Sequence, residues 1–225
     1  MDQLVAAILA VGVIFLVAFP VHEFSHAWAA YMLGDSTARW QGRLTLNPIK
    51  HFDPLGGIIL LITVGLRTGF FIGWAKPTPV NPYNLRYGRR GEALVAGLGP
   101  VSNLVMALVV AVPLRLAWTD PALVGTIFSS PVVGLVNNVA VWFVIINAVL
   151  FLFNLLPIPP LDGWKIVGGL VSARLAYQMR AIEQYGFLIL LAIVFLGSRQ
   201  LGDLIGGFVD LFLGADVGFV SLGLG

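Results

Sequence analysis

The chain has no cysteine among its 225 residues. Disulfides and thiolate metal sites are therefore excluded, and any metal must be held by nitrogen and oxygen. Charge is scarce as well. Asp, Glu, Lys and Arg make up 11% of the residues, against about 25% in an ordinary soluble domain, so a water-soluble globular protein is excluded. There is no polar tract of the roughly 50 residues that an appended soluble domain needs, and a single membrane-embedded domain over residues 1–225 is expected. No internal repeat is evident, which leaves solenoids and inverted-repeat transporters without support. What the chain does have is apolar surface: 58% hydrophobic residues and a mean hydropathy of +0.92. Several stretches approach or exceed the roughly 20 apolar residues that cross a bilayer. The sequence reads as a polytopic α-helical membrane protein of about four transmembrane helices, with the lipid bilayer as its solvent.

The first apolar run, Leu4 to Leu33, is broken only by His22, Glu23, Ser25 and His26. It is too long for a signal-peptide core and has no basic residue ahead of it, so a retained span is expected. A polar segment from Gly34 to Pro54 follows. The next apolar stretch, Leu55 to Ala75, carries five glycines and Arg67 at its middle. Its β-branched and aromatic runs, Ile58 to Val64 and Phe70 to Ala75, flank a Gly-rich turn, and this pattern predicts a β-hairpin near residues 58–75 that dips into the membrane. Further spans are expected at Glu92 to Trp118, at Val132 to Leu156 and, from a shorter run, at Tyr185 to Gly197. The tail Leu201 to Gly225 could extend that last helix, fold back or lie at the interface. Eight of the 13 basic residues lie between Arg39 and Arg90 and three between Lys165 and Arg180. The positive-inside rule then places residues 39–90 and 157–182 in the cytosol and the amino terminus outside. This placement accounts for the net charge of +2 without a nucleic-acid partner.

Within the first run, His22-Glu23-Phe24-Ser25-His26 is an H-E-x-x-H pattern. On a helix, residues i and i+4 share a face, so both imidazoles can bind one metal while the adjacent glutamate handles water at that metal. Ionisable groups inside a transmembrane helix cost about 2.5–3.5 kcal/mol each on insertion scales and are functional by default. The bland alternative is a pair of satisfied core histidines. A catalytic zinc site needs a third protein ligand and an open position; His51, Asp53, Glu92, Asp162 and Glu183 are the candidates. Asp162 stands out, because Pro157, Pro159 and Pro160 break the preceding helix and hold an extended segment ahead of Asp162-Gly163, although a helix cap would also explain it. Asn147 and Asn154, seven residues apart, give the third span a polar face.

Three segments together carry a resemblance: His22 to His26, Gly99-Pro100-Val101-Ser102-Asn103, and Asn154-Leu155-Leu156-Pro157-Ile158-Pro159-Pro160-Leu161-Asp162-Gly163. Their order and spacing resemble the signatures of the site-2 protease family of intramembrane zinc metalloproteases across essentially the whole chain. The resemblance implies Zn2+ held by His22, His26 and Asp162, Glu23 as catalytic base, and a membrane-dipping hairpin beside the site. It also implies that Gly42 to Pro48 and His51 to Gly56 flank the cleft. A compact member is expected, without a PDZ or nucleotide-sensing domain.

The function expected on these grounds is hydrolysis of peptide bonds within or near transmembrane helices of membrane-protein substrates, at a site in the cytosolic leaflet of the cell membrane. Asn154 is a candidate for binding substrate backbone, with an interhelical hydrogen bond as its alternative. His51 could position substrate or water, or be an ordinary interfacial histidine. Asn103, in a helix start made of Ala96, Gly97 and Gly99, is a further candidate substrate contact whose alternative is structural. The rival reading is a non-catalytic protein that binds or transports a divalent cation. Glu23 discriminates, because a store or channel has no need of a base beside the water.

Overall fold

The computed structural model describes residues 8–9, 11–65 and 73–214, and among these the regular structure is helical throughout. Helix α1 (Val11–Met32) is the first of three helices long and apolar enough to cross a membrane. Ile14–Ala18 within it is a π-helical turn, directly ahead of Pro20, which has no N–H to close the ordinary ladder. The wider turn absorbs that loss and sets the rotation of the His22–His26 face. Short helices α2 (Thr37–Trp40) and α3 (Pro48–His51) follow.

Helix α4 (Pro54–Gly65) corrects the hairpin expectation. Ile58 to Val64, expected as its first strand, lies in this helix, and the described residues contain no strand; residues 66–72 of the expected hairpin lie outside the described residues. The reason is local. Asp53 accepts the main-chain N–H of Leu55 at 2.9 Å and of Gly56 at 3.0 Å, and Pro54 occupies the first position, where a missing N–H costs nothing. In an apolar solvent a helix satisfies its own backbone, whereas an isolated strand does not, and this outweighs the β-branched composition. At 1.5 Å per residue the helix reaches only about 18 Å, short of the roughly 30 Å of a hydrocarbon core. Leu60, 1% exposed, seats it on Val13, Ile14, Ala18 and Ile146.

After the irregular residues 73–81 comes α5 (Arg89–Trp118), the central helix, which packs against α1 and against two elements described next. Its buried face is small or polar: Ala93, Ala96, Gly99, Asn103, Ala107 and Ala111. Val105, Leu108, Val109, Val112 and Leu116 on the other side are exposed. Large apolar residues outside and small ones inside is the arrangement of a helix surrounded by lipid, where close backbone approach replaces the hydrophobic effect. Helix α6 (Pro121–Ser129) is capped by Asp120, and α7 (Pro131–Asn154) by Ser130. Trp118 Nε1 donates to Asn137 at 2.9 Å across the α5–α7 pair. Helix α8 (Asp162–Leu170) lies on α5, with Arg89 donating to the Gly168 carbonyl at 3.0 Å.

Helices α9 (Ala173–Glu183) and α10 (Gly186–Leu196) meet at a 75° bend and are long and apolar enough only when taken together, as a broken span or a re-entrant loop, so the described residues offer three candidate crossings, or four if this pair is one span. The final element, α11 (Ser198–Leu213), resolves the described part of the tail: it folds back, burying Val209, Phe212 and Leu213 against Ala107 and Ala111 of α5 and Val141 and Val144 of α7.

A buried carboxylate organises the loop between α1 and α5. Asp35 is 0% exposed and accepts from Thr37, from the Asn81 main chain at 2.7 Å and from Asn84 at 3.1 Å. Burial alone would raise its pKa, but these hydrogen bonds prevail and hold it below the ordinary carboxylate value.

Candidate metal centre

Three side-chain atoms from two helices, α1 and α8, converge. His22 Nε2 lies 3.0 Å from His26 Nε2 and 3.1 Å from Asp162 Oδ2, and His26 Nε2 lies 3.2 Å from the same carboxylate oxygen. All three residues are buried. The histidines share one face of α1, as their i, i+4 spacing requires. Asp162 opens α8, at the end of the proline-rich turn that terminates α7. Gly163 beside it lies so close to the Leu155 and Leu156 carbonyls that any side chain would collide with them. Gly99 of α5 does the same for α1, since a Cβ there would run into the imidazoles of His26 and His22.

The protonation pattern follows from the neighbours. His26 Nδ1 faces the Val95 carbonyl at 2.8 Å; a carbonyl only accepts, so Nδ1 carries the proton, and in the neutral ring Nε2 carries a lone pair. For His22 the same conclusion passes through two amides. Asn147 Nδ2 donates to the Phe143 carbonyl at 2.9 Å, which leaves its oxygen to accept from Asn103 Nδ2 at 2.9 Å. The Asn103 oxygen then accepts from His22 Nδ1 at 2.6 Å. Both Nε2 atoms therefore present lone pairs to each other and to a carboxylate. With both rings neutral, three acceptors in one triangle repel unless a proton or a metal cation lies among them.

A metal fits this set. The edges of 3.0–3.2 Å approach the roughly 3.3 Å that separates ligands on a tetrahedral zinc with bonds of about 2.0–2.1 Å. His22, His26 and Asp162 form the one such cluster among the described residues. Two nitrogens and one oxygen with a fourth position open is the donor set of a catalytic rather than a structural zinc site.

The other residues expected from the sequence fall in different places. Glu23 is not in the triangle. Its Oε2 accepts from the Thr78 main-chain N–H at 2.7 Å and from the Thr78 hydroxyl at 2.6 Å. Asn103 is fully buried, with both amide atoms engaged by His22 and Asn147, so its geometry is that of a prop rather than of a substrate contact. Asn154 donates to the Leu150 carbonyl one turn back at 2.9 Å and is not brought to the three ligand atoms. His51 is 1% exposed, its Nε2 donating to the Thr45 carbonyl at 2.7 Å, also apart from the triangle. Thr78 escaped the sequence reading, and Arg43 entered it only as part of the Gly42 to Pro48 segment expected to flank the cleft. Arg43 is buried, burial pulls its pKa below the usual value, and the charge of Glu23 opposes that shift.

The chain is 42% identical over 200 residues to "Putative zinc metalloprotease YwhC" of Bacillus subtilis (strain 168), an alignment covering 88% of this chain and 86% of that one. It is 32% identical over 213 residues to "Putative zinc metalloprotease Rip2" of Mycolicibacterium smegmatis, covering 92% and 75%. No solved structure matches. The family model described as Peptidase family M50 matches residues 7–197, and the chain belongs to that family, the site-2 proteases, as a zinc metalloprotease.

Proposed function

We propose that this protease is an intramembrane endopeptidase that cleaves peptide bonds within or near the transmembrane helices of other membrane proteins, with His22, His26 and Asp162 holding the zinc and Glu23 acting as base. The observation that carries the reading is the buried triangle of His22, His26 and Asp162 between α1 and α8, with Glu23 on the same helix as the two histidines. Zinc at this position supplies Lewis-acid polarisation of the scissile carbonyl and lowers the pKa of water. The chain supplies the rest. The Nδ1 protons of both histidines are tied to acceptors, so the rings cannot turn away. Glu23, with Oε2 held by Thr78, has Oε1 without a hydrogen-bond donor among the described residues, and this oxygen takes the proton from water and returns it to the leaving amine.

The buried residues of α1, α5 and α8 exclude bulk water from this chemistry. A substrate helix shields its own carbonyls by hydrogen bonding, so it must unwind locally before the scissile bond reaches the site. The distribution of basic residues supports an orientation with the amino terminus outside, residues 39–90 and 157–182 cytosolic, and the site in the cytosolic leaflet.

The test is cleavage of a single-span reporter by wild type and Glu23→Gln, with zinc measured in both. Glu23→Gln is expected to keep its zinc and to lose cleavage by about 100- to 10,000-fold, the usual contribution of a general base. Equal cleavage at equal zinc excludes Glu23 as the base.

A further inference from the structure

Residues 73–81 form a strap without helix or strand, and its hydrogen bonds lead from a buried arginine to Glu23. The Lys76 N–H donates to the His51 carbonyl at 2.8 Å. Arg43, 5% exposed, donates through Nη2 to the Lys76 carbonyl and, at 3.4 Å, to that of Pro77. The next peptide N–H, that of Thr78, points at Glu23 Oε2, and the Thr78 hydroxyl meets the same oxygen as well as the Glu23 main-chain carbonyl at 3.0 Å. Thr78 stands between Pro77 and Pro79. Proline has no N–H and a fixed φ, so over these three residues the backbone has a single donor, and that donor is spent on the carboxylate.

A free glutamate on a helix samples several rotamers and offers either oxygen. Here one oxygen carries two donors, which fixes the side-chain torsions and makes the two oxygens inequivalent. A bond reaching 55 residues along the chain is not a local turn. The Arg43 guanidinium carries its charge close enough to interact with Glu23 while its hydrogen bonds go to the strap.

Taking Glu23 as the base in the reading above, we propose that Thr78 is its positioning residue, holding Oε2 so that Oε1 is the oxygen presented to water, and that Arg43 sets Thr78 by gripping the carbonyls of Lys76 and Pro77. Thr78 touches neither substrate nor zinc in this scheme. Its removal therefore slows turnover without weakening substrate binding, and it leaves the metal in place.

The test measures kcat and KM for a purified transmembrane reporter, with zinc content, in wild type, Thr78→Val, Thr78→Ser, Arg43→Lys and Glu23→Gln. Thr78→Val keeps the shape and loses the hydroxyl. Misplacement of a catalytic group on this scale is expected to lower kcat about 10-fold, with KM within about twofold and zinc unchanged. Thr78→Ser restores the hydroxyl and is expected to recover most of kcat. Arg43 meets both carbonyls with the one atom Nη2, and the shorter lysine stem leaves its ammonium short of that position, so Arg43→Lys is expected to reproduce the Thr78→Val defect, with the double variant no slower than the slower single.

Should Thr78→Val fail to retain zinc, Thr78→Ala carries the same expectation without the branched methyl. A wild-type kcat in both Thr78→Val and Thr78→Ala overturns the proposal, as does a raised KM at normal kcat or a Ser variant as slow as Val. If Glu23→Gln is inactive while these results hold, the function stands and only the role of Thr78 falls. If Glu23→Gln is active, the assignment of the base itself falls.

Discussion

Asn147 is a fully buried amide in the middle of an apolar helix, and the cost of placing it there is offset only if both of its ends are satisfied. Its donor goes to the Phe143 carbonyl and its acceptor to Asn103, which in turn takes the His22 proton. Asn147→Leu removes the acceptor that orients Asn103. Partners of metal-binding histidines are typically worth about 10- to 100-fold in metal affinity, and a loss of that size is expected on titration against a competing chelator. Unchanged affinity would mean that the polarity of His22 is set elsewhere. The sequence made this chemistry partly legible. Two histidines at i, i+4 and an aspartate after three prolines mark candidate ligands by residue type and spacing, the structure brings the three together, and Asn147 was visible as a polar residue on one face of its helix. Thr78 was not, because a threonine between prolines reads as loop and its partner lies 55 residues away. Arg43 lay in the Gly42 to Pro48 segment expected beside the cleft, but its role was hidden, since its partners are main-chain carbonyls and any sequence supplies those.

At the scale of elements, α1 and α5 approach each other through Gly99, and the site depends on that spacing. Gly99→Ala drives a methyl into the His26 ring. Overpacking of this kind costs about 1–3 kcal/mol, and zinc content measured after purification is expected to fall well below one per chain. Gly97, two residues earlier, has, apart from its chain neighbours and its own helix backbone, no described atom within 4 Å of the place its Cβ would take. Gly97→Ala is expected to keep its zinc and to gain up to about 1 kcal/mol of helix propensity, so the pair separates close approach from a general intolerance of substitution. The spans themselves were legible from hydropathy to within a few residues: Glu92 to Trp118 is observed as Arg89–Trp118, and Val132 to Leu156 as Pro131–Asn154. Helix α4 was misread because Ile58, Ile59 and Ile62 favour strands in water. The informative signal lay just upstream, in Asp53-Pro54, a cap and first-turn pair that starts a helix.

For the whole molecule, the arrangement of basic residues makes one statement that can be checked directly. Trp40 and Tyr83 are 86% and 91% exposed and lie on opposite sides, in sequence, of the segment that includes α4. The chain has no native cysteine, so a thiol placed at either position is the sole target for a membrane-impermeant reagent. Both are expected to react from the same face, the cytosolic one. Reaction from opposite faces would require residues 54–75 to cross the bilayer, which would reverse the orientation of everything after them.

The run of hydrogen bonds from the Phe143 carbonyl through Asn147 and Asn103 to His22 has a reciprocal meaning. Two equilibria that share a bond must influence each other by equal amounts. Whatever free energy the seating of α7 lends to retention of the ion, the ion returns to the seating of α7 upon α5 and α1. With zinc held as proposed by His22, His26 and Asp162, the ion would be a rivet as well as a reagent, and its withdrawal is expected to loosen the grip among those three helices while leaving each helix formed.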